Sequence, residues 1–276
     1  MRNALKVLTL MLAVLMFMVP CYAGDTDGTL MMATTTSTDN TGLLDYLAPY
    51  FEKDTGIDLR WTAVGTGKAL RLGQNCDVDV LLVHAPPAEK QYVADGYGIN
   101  RLEVMYNDFV IIGPPSDPAG VAGKSVTAAM KAIAEAQAVF ASRGDDSGTN
   151  KKEITLWDNA GMGVPEKVAW YRQTGQGMLA TINIAAEQSA YTMTDRGTYI
   201  KYSHNAGGNP PLNILVEGDD ILKNQYSVIA VNPANCSDVN FIDAMTFAKW
   251  LTRTETQERI GAFELLGKKL FIPNAH

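Results

Sequence analysis

The sequence predicts an α/β fold in two lobes joined by a two-strand hinge. Two observations predict it. Short apolar strands alternate with amphipathic helices, the pattern of parallel sheets covered by helices. Two later apolar strands, at 108–113 and 226–231, run into Pro114-Pro115 and Asn232-Pro233 and read as crossings between lobes. Lobe one is then residues 26–110 plus 228–276, and lobe two is the inserted stretch 111–227. Lobes joined in this way are able to close around a ligand in the cleft. In chain order, Leu30-Met31-Met32-Ala33 reads as the first strand. The helix after it sets Leu43, Leu44, Leu47, Tyr50 and Phe51 at spacings of three and four, one apolar stripe. Ile57-Asp58-Leu59-Arg60-Trp61 alternates as the second strand, and a helix carrying Ala69, Leu70 and Leu72 follows the turn Val64-Gly65-Thr66-Gly67. Residues 78–83 form a third strand, and Ala138-Val139-Phe140-Ala141 runs into a turn and a helix with Ile154 and Trp157.

The first 23 residues read as a cleaved export signal. Arg2 and Lys6 precede an apolar run at 7–19, and Ala23 stands at the expected cleavage point. That run is shorter than the ~20 residues a membrane-spanning helix needs. Removing it takes away two basic residues and no acid, so a net charge of −7 becomes −9. An acidic chain gathers no polyanions, which argues against nucleic acid and anionic membrane surfaces as partners. Cys76 and Cys236 remain, compatible with one disulfide in an oxidising compartment, and three scattered histidines give no metal-ligand pattern. The expected address is the periplasm.

Three strand-to-helix junctions carry the chemistry. The first, Thr34-Thr35-Thr36-Ser37-Thr38, holds five hydroxyls where one suffices as a helix cap. The second is Gly65-Thr66-Gly67-Lys68, which fails both the phosphate-loop and the dinucleotide patterns. The third runs from Ser142 through Arg143, Gly144, Asp145 and Asp146 to Ser147-Gly148-Thr149. A helix N-terminus offers unpaired N–H groups and a positive dipole end, and a guanidinium adds a charge-assisted fork. Ligands of open α/β sheets sit beyond the carboxyl ends of the strands, where all three junctions lie. They predict a cleft for a small tetrahedral anion, with Arg143 supplying the charge and Asp145 orienting it. Thr194-Asp195-Arg196-Gly197-Thr198 is a weaker candidate, with Asp195 read as a plain helix cap and Tyr191 or Thr194 as residues within reach of the cleft.

Taken together, these segments resemble the tungstate-binding proteins of TupA type. The resemblance covers nearly all of the chain after residue 23. It includes Ala33-Thr34-Thr35-Thr36-Ser37, Val64-Gly65-Thr66-Gly67, Asp79-Val80-Leu81-Leu82-Val83-His84-Ala85-Pro86, Ser142-Arg143-Gly144-Asp145, and Ala190-Tyr191-Thr192-Met193. It implies a two-lobed periplasmic-binding-protein fold of type II with tungstate in the cleft. Thr34, Thr35, Thr36 and Ser37 would bind it from the first junction, Gly65 and Thr66 from the second, and Arg143, Ser147, Gly148 and Thr149 from the third. The implied partners are an ABC permease with its ATPase, met by a monomer in peripheral contact with the membrane complex, and no cofactor or metal beyond the oxyanion.

The anion itself is argued from its protons. Tungstate and molybdate are unprotonated at neutral pH, so their oxygens only accept hydrogen bonds; phosphate is partly protonated and gains from a carboxylate acceptor. The third junction also resembles the Arg-x-Asp-Gly-Ser-Gly-Thr segment of phosphate receptors, with Asp146 in place of the Gly. Molybdate- and phosphate-binding receptors therefore stay as alternatives. An enzyme on the same fold is disfavoured, because no G-x-S-x-G or H-E-x-x-H motif is present and only His84 is a candidate base near the junctions.

Overall fold

The computed structural model describes residues 28–275; the expected export signal at 1–23 lies outside the described residues. The chain opens with β1 (Thr29–Thr35), α1 (Thr36–Asp39) and α2 (Leu43–Thr55). β2 (Asp58–Val64), α3 (Thr66–Gln74), β3 (Val80–Val83) and α4 (Pro86–Ala94) follow. The predicted stripe holds α2 in place through Leu43, Leu44, Leu47 and Phe51, all buried. Gly56 ends that helix in the left-handed region at φ 74, returning its N–H to Glu52. β2, β1 and β3 are parallel neighbours in that order, so the junctions after β1 and β2 emerge at one sheet edge.

β4 (Gly98–Gly113) is the strand that leaves this region. Its first part pairs antiparallel with β9 (Lys223–Val231), which lies beside β3. Between them in the chain come α5 (Val126–Glu135), β5 (Phe140–Ser142), α6 (Gly148–Asn159), β6 (Tyr171–Gln173), α7 (Met178–Glu187), β7 (Thr192–Asp195), α8 (Arg196–Asn205) and β8 (Asn213–Val216). The end of β4, from Phe109, pairs with β7 and β8. The sheets are thus mixed: β1–β3 and the β5–β6 pair are parallel, whereas β4 and β9, carrying the chain out and back, run in opposite senses. After β9 come α9 (Phe241–Thr252), α10 (Thr254–Ala262), the hairpin β10 (Glu264–Leu265) and β11 (Lys268–Lys269), and β12 (Ile272–Pro273) on the edge of β4.

Two separate sets of apolar side chains fill the structure. Leu30, Met32, Phe51, Phe247 and Trp250 lie on one face of the first sheet, and Ala33, Val83, Tyr92 and Ile229 on the other. Phe109, Ile111, Trp157 and Tyr191 do the same on one face of the second region, with Val110, Ile112 and Ile182 opposite. The division falls between Asp108 and Phe109. On the return it falls before Lys223, which pairs with Asp108, so a boundary at 228 would cut a strand of the first sheet. Arg196 ties the outgoing crossing to the segment after β8, forking onto Asp108 (2.6 Å to each oxygen) and reaching Glu217 (2.7 Å). Cys76 and Cys236 form a disulfide between the segments following α3 and β9.

Candidate functional site

The three junctions meet at one cavity of about 290 Å³ between the two regions. β1 ends in Thr35, and α1 starts at once with Thr36 and Ser37 on the cavity wall. Gly65 precedes α3 with no side chain to cap it, so the N–H groups of Thr66 and Gly67 have no partner within the helix. Across the gap, Ser147 caps α6 by accepting the Asn150 N–H (3.2 Å), which leaves Gly148 and Thr149 at the open helix end.

Arg143 enters from the end of β5. Its side chain is 15% exposed, Nη2 donates to Asp145 Oδ2 at 2.5 Å, and Nε is buried without a partner among the described residues. A buried N–H left unpaired is costly, and an acceptor in the cavity would remove that cost. Asp145 spends its other oxygen on the Ser147 N–H (3.2 Å), so both carboxylate oxygens serve their own loop. Gly144 makes the loop possible: its φ is 59, and a Cβ there would lie 2.7 Å from Gln173. Asp146 turns to solvent and pairs with Lys151.

Beneath the loop, Glu153 of α6 is almost fully buried. It accepts from Ser142 (2.6 Å), Tyr171 (2.7 Å) and the Trp157 indole (3.1 Å). Burial nonetheless pushes its pKa up, the three donors opposing. These bonds tie the end of β5 to α6 and so fix the third junction.

The cavity meets the first sheet at His84, buried after β3 and stacked on Tyr226 with ring centres 4.8 Å apart. His84 Nε2 lies 3.0 Å from Thr35 Oγ1 and 3.1 Å from Ser37 Oγ. Burial lowers its pKa and favours the neutral ring, opposed by the Asn224 hydrogen bond and the charge of Asp195. Gly148 brings the two regions into close approach: a Cβ there would meet Thr66 Oγ1 at 3.2 Å and His84 Cε1 at 3.5 Å.

Of the residues expected from sequence, Thr35, Thr36, Ser37, Gly65, Thr66, Arg143, Ser147, Gly148 and Thr149 all line this cavity. Thr34 does not. It is fully buried and donates its hydroxyl to the Leu82 carbonyl (2.8 Å), because the strand alternation turns it away from Thr35. Tyr191 is also elsewhere, bonded to Asp117 and Ala119, and the Thr194 hydroxyl donates to the Asp195 carbonyl. Asp195 caps α8 through the Thr198 N–H (2.8 Å). Arg143 is not the only cation: Lys68 and Arg71 of α3 stand on the wall as well. Their spacing of three placed them on one helix face, which was the available signal for Arg71.

Two α/β regions joined by crossings of opposite sense, with a donor-lined cavity between them, define a solute-binding protein of the periplasmic type. Residues 22–255 match the PBP superfamily domain. The tungstate-binding protein TupA of Campylobacter jejuni is 53% identical over 87% of this chain and 88% of its own. The solved tungstate-binding protein TupA from Desulfovibrio alaskensis G20 is 65% identical, with a TM-score of 0.85 over 90% of this chain and 100% of that one. A tungstate ABC transporter structure from Geobacter sulfurreducens is 47% identical, with a TM-score of 0.76 over 85% and 98%. The chain belongs to the family of TupA tungstate-binding proteins, which are receptors and not enzymes.

Proposed function

We propose that the protein captures tungstate outside the cytoplasm and hands it to an ABC permease driven by its ATPase. The observation that carries this reading is the convergence of the three junctions, with the unpaired Arg143 Nε–H, on one small cavity. Its donors suit an anion that only accepts: N–H groups at two helix ends, the hydroxyls of Thr36, Ser37, Thr66 and Thr149, and the cations Arg143, Lys68 and Arg71. Both Asp145 oxygens already accept within their own loop, and the other wall carboxylate, Asp146, pairs with Lys151, which favours an anion that brings no proton of its own. Thr35, Thr36, Ser37, Gly65 and Thr66 bind from one lobe and Arg143, Ser147, Gly148 and Thr149 from the other.

The lobes that close are 109–222 on one side and the remainder on the other. The leader at 1–23 exports a monomer, which meets the permease in its closed form. Molybdate, nearly the same in size and charge, is the competing ligand. Calorimetric titration of the exported chain with tungstate, molybdate, sulfate and phosphate tests the assignment. One-to-one heat with tungstate and silence with sulfate and phosphate is the expected result. Binding of phosphate with silent tungstate would overturn it.

A further inference from the structure

His84 is the one histidine among the cavity-lining residues, and its hydrogen bonds have a direction. Asn224 donates its amide N–H groups to Asn107 Oδ1 (2.8 Å) and to the Tyr226 hydroxyl (3.2 Å). Its carbonyl oxygen therefore faces His84 Nδ1, at 2.9 Å, and Nδ1 carries the proton. The neutral ring then has a lone pair at Nε2, with two hydroxyls at nearly equal distance, Thr35 and Ser37. Thr35 Oγ1 also accepts the Thr38 N–H (3.3 Å) as the cap of α1 and lies 2.7 Å from Thr38 Oγ1. Ser37 Oγ is a further neighbour of Thr35 Oγ1, at 3.1 Å. In the arrangement in which Thr38 Oγ1 donates to Thr35, the Thr35 lone pairs are spent inward and its own proton points at Nε2.

We propose that His84 is a positioning residue of the anion site: its Nε2 holds the Thr35 hydroxyl proton, so Thr35 serves the helix cap and Ser37 alone of the two keeps a side-chain proton for the ligand. Resting on the tungstate reading, this assigns a role to a side chain that need not touch the anion. Asn224, Asn107 and Tyr226 fix the ring from behind, and Gly148 closes over its Cε1 edge from the other lobe.

The charge state of the ring provides a readout that loss of packing alone would not move. A protonated ring has to donate from Nε2, so it still anchors the Thr35 oxygen, now as an acceptor, and it adds a positive charge beside the cavity. The charged groups around it are Asp195 at the start of α8, Lys68 and Arg71 on α3, Arg143, Asp145 and Asp146 on the opposite loop, and, on its other side, Lys151 and Lys152 of α6 and Lys223 of β9; Tyr226 stacks on it. Tungstate affinity should therefore rise as pH falls through the ring's lowered pKa, below the ordinary ~6.5.

The experiment measures tungstate dissociation constants from about pH 5 to pH 8 for the wild type, His84→Phe and His84→Gln. Each variant's fold is checked by circular dichroism. His84→Phe keeps the stack on Tyr226 and loses the acceptor. It is expected to bind about tenfold more weakly at neutral pH, with a flat pH profile, matching the loss of about one hydrogen bond's worth of organisation. His84→Gln, which can offer an amide oxygen to the Thr35 hydroxyl, should recover part of the affinity but none of the pH dependence. Wild-type affinity and wild-type pH dependence in His84→Phe would overturn the proposal. Absence of tungstate binding by the wild type would instead overturn the ligand assignment on which it rests.

Discussion

Arg143→Glu is expected to leave no measurable tungstate binding. The side chain is mostly buried, its Nε–H has no partner among the described residues, and it stands on the cavity wall opposite the two junctions of the first sheet. Exchanging the charge turns attraction into repulsion. At about 4 Å and an effective dielectric near 20, each unit pair contributes on the order of 4 kcal/mol, so the swing exceeds what a small anion recovers elsewhere in the site. The introduced carboxylate would also face Asp145, now without its partner. Arg143→Lys keeps the charge and loses the fork that serves Asp145 and the cavity together, and should weaken binding about ten- to hundredfold. Calorimetry on the folded variants decides: an unchanged dissociation constant in Arg143→Glu would remove Arg143 from the site.

The second large effect is expected at Gly148, for a steric reason. Its φ is not in the left-handed region, so its backbone does not demand glycine; the approach of the other lobe does. A Cβ at 3.2 Å from Thr66 Oγ1 is tighter than ordinary contact, and His84 stands close behind. Packed sites respond to such additions with about 1–3 kcal/mol. Gly148→Ala should lose about tenfold in tungstate affinity, and Gly148→Leu should prop the cleft open and bind none. Because the clash lies across the cleft, the melting temperature without ligand should change little. Wild-type affinity in Gly148→Leu would show that closure does not bring these surfaces together.

How much of this was legible in the sequence follows from where polar residues sit. The β1–β3 units read clearly, because continuous apolar runs such as Val80-Leu81-Leu82-Val83 are what a sheet buried on both faces requires. The first half of β4 did not. Asn100 at φ 54, the exposed Glu103 and two register shifts break its alternation, so only the apolar end at 108–113 looked like a strand. The start of β9 was hidden for a related reason. Lys223, Asn224 and Gln225 look like loop residues, yet Asn224 is buried and pairs with His84 and Asn107.

The cavity-lining residues were legible because hydroxyls, glycines and one arginine recur at the same place in three strand-to-helix units. The residues that hold them were not. Glu153 sits in a polar helix sequence, and only the fold reveals that Ser142, Trp157 and Tyr171 surround it. Thr34 is the exception for the opposite reason: a run of hydroxyls does not say which of them face the cavity, and Thr34 faces the core.

The most direct measurement is anomalous scattering at a tungsten absorption edge from crystals grown with tungstate. One strong peak is expected in the cavity, bounded by Ser37, Thr66, Arg143 and the Ser147–Thr149 helix start. A peak anywhere else, or none in crystals of protein that takes up tungstate in solution, would contradict the assignment of the three junctions as the binding site.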